Sequence, residues 1–272
     1  MIACINQATV LPADTLEFLA EARAAGFELI ELDITKLEEA VQRHGLPKIR
    51  EVAKSLGLQI ISLNAIENYP ILTRNDSTLS LSRCERIFQL SKELGCEIVV
   101  LNPNEFNAGE RLVTQEAFDS FVVHAALAAS RFDVKLGYEF VSYDNRLVNT
   151  LAESIQALSR WDSGVGLVLD IFHLYRTAEK IAQIPDQLMN RLWIFHVNDA
   201  PAIPVSKVKD SDRVFPGEGV VNIRQSLQEL AARGFHGPVS LELFNSSYWT
   251  LPTGSVIRES WERMQGLLRR GA

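Results

Sequence analysis

Three cysteines in 272 residues, Cys4, Cys84 and Cys96, are too few for a disulfide framework. None has a CxxC neighbour, and a reducing compartment is the default expectation. Cys4 and Cys96 sit in apolar runs and read as buried thiols. No apolar run is long enough to span a bilayer. Positive charge is short as well: 27 Lys and Arg against 34 Asp and Glu leave a net charge of −7, which disfavours a duplex-binding surface. The glycines make no nucleotide cradle. Gly164-x-Gly166 precedes an apolar run instead of following one, and neither a P-loop nor a GxSxG elbow is present. Asn75-Asp76-Ser77 fits a glycosylation acceptor, but Met1-Ile2-Ala3-Cys4-Ile5 begins a strand at once, with no secretion signal before it. A cytoplasmic location, with no membrane and no nucleic-acid partner, is the expectation. With 47 % hydrophobic and 22 % charged residues, the rest of the composition is that of an ordinary globular protein.

What is present is a repeat of short apolar strands, each followed by enough chain for a helix. Strands are expected at Ile2 to Ile5, Phe27 to Leu32, Leu58 to Leu63, Glu97 to Leu101, Lys135 to Glu139, Val165 to Asp170, Leu192 to His196 and Val239 to Glu242. Between them lie amphipathic helices. One starts at Asp14 or Thr15 and stops at Gly26, and another runs from Pro47 to Gly57. A loop from Glu67 to Asp76 precedes a helix over Leu79 to Leu94. Further helices are expected at Thr114 to Arg131, Asn149 to Trp161 and Thr177 to Ile184. A long loop, Asn198 to Val220, follows the seventh strand. After it come a helix capped by Asn222 and a last helix from Gly254 to Arg269. The unit of helix, Gly and strand recurs at Gly26, Gly57, Gly95 and Gly234. Eight strands alternating with helices favour a single (β/α)8 barrel over residues 1–272, with no linker to mark a second domain.

Four consecutive strands in the second half end in a side chain that can ligate a metal: Glu139, Asp170, His196 and Glu242. A barrel delivers such strand ends to one face. Each alone has a plainer reading, since Asp170 could cap the next helix and the others could be salt-bridged or packed. Together they read as a site for one divalent ion. Three carboxylates and an imidazole suit Mn²⁺, the favoured choice, or Mg²⁺, Co²⁺ or Zn²⁺. Such an ion polarises a carbonyl, and a neighbouring carboxylate can carry the proton lost from the adjacent carbon. His173, three residues after Asp170, could be a fifth ligand, a substrate contact or a core residue, and substrate contact is favoured. Arg213 lies in a loop held by Pro216, Gly217 and Gly219. Replacing either His173 or Arg213 is expected to affect turnover more than folding. Asn6, Asn64 and Asn102 close earlier strands, where amides suit either turns or the hydroxyls of a polyol. His44, His124 and His236 have no ligand company and read as structural or solvated.

These stretches resemble the xylose-isomerase-like sugar isomerase and epimerase superfamily over nearly the whole chain, and more narrowly its inosose (2-keto-myo-inositol) isomerases of inositol catabolism. The likeness is carried by Cys4 to Thr9, Leu63-Asn64-Ala65, Glu139-Phe140-Val141, Gly166 to Asp170 with Phe172-His173, and His196-Val197-Asn198-Asp199. It continues in Asp212-Arg213-Val214 with Pro216-Gly217-Glu218-Gly219, and in Val239 to Phe244. It departs at Gln7, where an acidic residue is expected. The resemblance implies metal ligands at Glu139, Asp170, His196 and Glu242, substrate contacts at His173 and Arg213, and proton transfer by Glu139 and Glu242. It implies an enzyme that moves a carbonyl between adjacent carbons of a keto-polyol through an enediol. A ketose 3-epimerase, an aldose–ketose isomerase and an inosose dehydratase would use the same residues. An apurinic endonuclease would need more His ligands and a DNA-binding face, and a non-catalytic sugar binder would have no use for an intact ligand set. The expected partner is a small keto-polyol or ketose, with homo-oligomerisation left open.

Overall fold

The computed structural model describes residues 1–67, 69–71, 73–105, 113–161 and 164–269. Eight parallel strands close into a barrel in sequence order: β1 (Ile2–Asn6), β2 (Leu29–Asp33), β3 (Gln59–Ile66), β4 (Ile98–Leu101), β5 (Lys135–Glu139), β6 (Val165–Asp170), β7 (Leu192–Val197) and β8 (Pro238–Leu241). β8 pairs back onto β1 with Val239 opposite Ala3 and Leu241 opposite Ile5, so no strand edge is left open. The strands are Val-, Ile- and Leu-rich because both of their faces are covered. Outward residues such as Ile5, Leu32, Leu167 and Phe195 join the helices in one large core.

The inward face follows from the two-residue period of a strand. Cys4, Leu29, Ile61, Val100, Val168 and Ile194 form a separate buried cluster that fills the lower barrel. Two positions further on, four of these strands carry a polar residue, Asn6, Glu31, Asp170 and His196, above that plug, and Asn102 follows in the same way just past the end of β4. The barrel thus changes from apolar to polar along its axis.

Helix starts follow capping chemistry. Asp14 accepts from the N–H of Leu16 at the head of the helix Thr15–Ala25. Gly57 and Gly95 end the preceding helices in left-handed conformations, at φ 68° and 71°, which a side chain would resist. Two expectations are corrected. The helix expected from Leu79 begins at Arg74, inside the expected loop, because Thr73 and Asp76 form a reciprocal capping box. No helix runs from Thr177 to Ile184. The α-helix there is Ile171–Thr177, starting directly at the strand end, and only a single 3₁₀ turn follows at Ile181–Gln183. A short helix, Ser246–Trp249, also precedes the final helix, Thr253–Arg269. The long loop after β7 is built around Asp199. Its carboxylate accepts from the N–H groups of Ala200, Gly217 and Val221 at 2.8–3.0 Å. Gly219 passes so close that an added Cβ would lie 2.2 Å from the Ala200 carbonyl oxygen. Among the described residues no helix is long and apolar enough to cross a membrane.

Candidate metal centre and active site

The four strand ends converge. Glu139, Asp170, His196 and Glu242 each offer one ligand atom, and these atoms lie within 4.8 Å of one another. All four side chains are buried. Asp170 fulfils both readings open to it. Its Oδ1 caps the helix Ile171–Thr177 by accepting from Phe172 N at 2.7 Å, and Asn198 Nδ2 donates to the same oxygen at 3.0 Å. Its Oδ2 faces the centre and accepts from Arg213 at 2.7 Å. The cap therefore fixes the side chain while one oxygen stays directed inward.

His196 presents Nδ1 to the cluster, 2.9 Å from Glu139 Oε1 and 3.6 Å from Glu242 Oε2. Its Nε2 faces Glu31 on β2, 3.1 Å from Oε1. Glu31 was not among the residues expected at the site. A signal existed: a lone carboxylate stands among apolar residues in Leu29-Ile30-Glu31-Leu32, two positions before Asp33 on the same face.

Asn6 and Asn64 both direct their amide donors at Glu242 Oε1, at 2.8 and 3.1 Å. Both also line the cavity, but these donors are engaged by a carboxylate. Arg213 Nη1 donates to Asp170 Oδ2 and Glu242 Oε2, while Nε and Nη2 donate to Asp210 Oδ1. Its guanidinium lies between the rings of Phe172, at 4.6 Å, and Phe244, at 5.1 Å. Only 1 % of Arg213 is exposed, and it lines the cavity as well. His173 accepts at Nδ1 from the Ser142 backbone N–H, at 3.4 Å, with the Ser142 hydroxyl 3.0 Å away. A backbone N–H can only donate, so the ring proton sits on Nε2 and remains a donor. His44 pairs with Asp14 at 3.1 Å, while His124 and His236 are exposed, so none of the three joins the site.

The charge balance of the centre fits a cation. Burial, reinforced by Glu139 and Asp170, pushes the Glu242 carboxyl up to about 8 despite His196 and Arg213. Burial likewise raises Glu139, with the Asp170 charge adding to it, and the attraction of His196 only partly offsets this. Burial also opposes ionisation of Asp170, but Arg213, His173, His196 and the Phe172 N–H together outweigh it and hold that carboxyl low. Burial disfavours the His196 cation, yet the Glu242, Glu139 and Glu31 carboxylates raise it well above its usual value. Four buried carboxylates thus share one imidazole and one guanidinium, and two of the acids, Glu139 and Glu242, are shifted toward their neutral forms. A divalent ion would supply the missing positive charge. The hard oxygen donors with one nitrogen suit it chemically.

A cavity of about 430 Å³ opens over the centre, a size that takes a small ring molecule. Its lining includes Glu139, Glu242, Arg213 and His173, together with Asn6, Asn64, Asn102 and Arg146.

Burial lowers the His173 imidazole from 6.5 to about 4. The unfolded chain then binds a proton between these values that the folded chain refuses. This side chain therefore contributes stability that is whole above about pH 6.5 and is lost as pH falls toward about 4, roughly 3 kcal/mol in all. Unfolding free energies of metal-free parent and His173→Gln protein, measured from pH 7 to 4, should diverge by that amount, with the parent losing more. Parallel curves would show that His173 is not held neutral.

Comparison with known proteins agrees with this geometry. The model of the xylose isomerase-like TIM barrel family matches residues 19–267. The inosose isomerase of Halalkalibacterium halodurans is 27 % identical over 95 % of this chain and 93 % of its own length. A 3-dehydroshikimate dehydratase of Pseudomonas aeruginosa is 28 % identical over 93 % of this chain, which corresponds to 39 % of that larger protein. Among solved structures, the IOLI protein with a binding zinc atom superposes with a TM-score of 0.92, covering 100 % of this chain and 99 % of its own at 24 % identity. With a family model spanning almost the whole barrel, the chain belongs to the xylose isomerase-like TIM barrel family.

Proposed function

We propose that this protein is a metal-dependent isomerase that moves a carbonyl between adjacent carbons of an inosose through an enediol. The observation that carries this reading is the convergence of Glu139, Asp170, His196 and Glu242 on one point at the floor of a ring-sized cavity. Relatives named as inosose isomerases, aligned over nearly their full length, support the substrate.

In this reading the four residues hold a single divalent ion, with manganese favoured by the oxygen-rich donors. When bound, the ion polarises the substrate carbonyl and favours the enediol. The chain's own groups do the rest. A carboxylate of Glu139 or Glu242 takes the proton from the carbinol carbon beside the carbonyl. The same or the facing glutamate returns a proton to the former carbonyl carbon. A proton passes between the two oxygens, so the product is an isomer and nothing is lost or gained. His173 Nε2–H donates to a ring hydroxyl, and Arg213 holds the Asp170 and Glu242 carboxyls in place through Nη1. Asp170, with both oxygens committed, stays a ligand.

Proton–deuterium exchange into a panel of inososes and ketoses, with Mn²⁺ present, tests the reading. Exchange at the carbon next to the carbonyl of 2-keto-myo-inositol is expected, and it should stop when a chelator is added. Loss of water from the inosose would replace isomerisation by dehydration, and exchange into ketoses alone would replace the substrate. Absence of exchange from every member of the panel would sink the enediol chemistry itself.

A further inference from the structure

Glu31 is a charged side chain for which the chemistry above has no use. It lies in the middle of β2, is wholly buried, and points into the barrel beneath the cluster. Its two oxygens stand 3.1 and 3.3 Å from Nε2 of His196, and the Ser62 hydroxyl donates to Oε2. The other ring nitrogen of His196 faces Glu139 and Glu242. The imidazole is therefore held by carboxylates at both edges, across the width of the barrel.

Both edges face carboxylates, but only the Nδ1 edge faces the residues that would hold the ion, which would take its lone pair. A carboxylate only accepts hydrogen bonds. The Ser62 hydroxyl orients the Glu31 carboxylate and leaves lone pairs for the ring. Glu31 thus demands a proton on Nε2 of His196. With that proton in place, the Nδ1 lone pair is the one presented to the cluster, as a ligand nitrogen must be. Without Glu31 both tautomers of a neutral ring would be accessible, and the ring could rotate about its Cβ–Cγ bond.

We propose that Glu31 is a positioning residue, which fixes the orientation of His196 and its Nε2–H tautomer so that Nδ1 serves as the nitrogen ligand of the divalent ion. This rests on the metal-dependent reading above. It predicts that a residue making no contact with the substrate controls metal affinity.

Two measurements test it. In the zinc-loaded parent protein, ¹⁵N spectra of the histidine side chains should show the His196 proton on Nε2, protected from exchange, and none on Nδ1. A proton on Nδ1 would overturn the proposal without any variant being needed. The second measurement is competition between the protein and a chelator for Mn²⁺, in parent and Glu31→Gln protein. Gln keeps the shape but offers one acceptor oxygen in place of two and carries no charge. Affinity should fall by about 10–100-fold, the usual effect of an outer partner of a metal-bound histidine, while the metal-free melting temperature stays within a few degrees. Unchanged affinity in the variant, with a parent that binds Mn²⁺, overturns the role of Glu31 and leaves the isomerase reading standing. A parent that binds neither Mn²⁺ nor Zn²⁺ overturns both.

Discussion

Replacing Arg213 with Ala in the metal-free protein is expected to cost about 3–5 kcal/mol, the usual consequence of removing one partner from a buried charge pair. The guanidinium is the shared counter-charge of three acids. Nη1 bridges Asp170 and Glu242 at 2.7 and 2.9 Å, and Nη2 meets Asp210 at 2.6 Å. Arg213 also holds the Asp210 carboxyl down at about 2, against the effect of burial. Its removal would strand charges in a site with little access to water and empty the space between Phe172 and Phe244. At about 2–4 °C per kcal/mol for a chain approaching this size, the melting temperature should drop on the order of 10 °C. Arg213→Lys keeps the charge but loses the fork, so it should recover only part of the loss. Differential scanning calorimetry of the three proteins after chelation decides the point. A shift of under 3 °C for Arg213→Ala would mean that these carboxylates can be solvated or protonated at little cost.

Exchange of the substrate proton should fall by at least ~100-fold in Glu139→Gln or Glu242→Gln protein, or in both, the lower end of what a positioned base contributes. The two glutamates are held differently. Glu242 accepts from Asn6, Asn64 and Arg213, with both oxygens engaged. Glu139 has His196 as its hydrogen-bond partner, through Oε1. A carboxylate with a free oxygen is the better placed to reach for a carbon-bound proton, so the larger loss is expected at Glu139. Gln preserves shape and an acceptor oxygen but is a poor base. Metal occupancy must be confirmed in each variant, since either change could weaken binding. Exchange at the parent rate in both metal-loaded variants would place the base elsewhere, with His173 the next residue to replace.

Three additional features of the centre join residues far apart in the chain, and none was legible there. Asn6 and Glu242 are 236 positions apart, and their 2.8 Å contact exists because β8 closes onto β1. At the level of sequence, an amide at a strand end is equally a turn former and a hydroxyl binder. Closure of the barrel turned these amides toward a carboxylate. Glu31 and His196 are 165 positions apart and meet across the interior. Arg213 looked like a loop arginine, and only the folding of its loop around Asp199 brought it inside. The start of the helix at Arg74 was missed for a different reason. Its first turn carries little apolar periodicity, and a capping box between Thr73 and Asp76 supplies what packing does not.

The barrel and the membership of the strand-end cluster were both legible in local pattern. A strand's side chains alternate with a strict period of two, and a parallel barrel sends every strand end to one rim. A polar residue at the end of an apolar run is therefore placed by local rules alone, as Glu139, Asp170, His196 and Glu242 were. Who partners whom was set by the closed barrel. Hydrogen bonds and ion pairs act over about 3 Å, and that proximity is set by barrel closure and register between strands, which local periodicity does not encode. Hence the strand-end cluster could be read along the chain, while the supports of Glu242, the outer carboxylate on His196 and the burial of Arg213 appeared only in the fold.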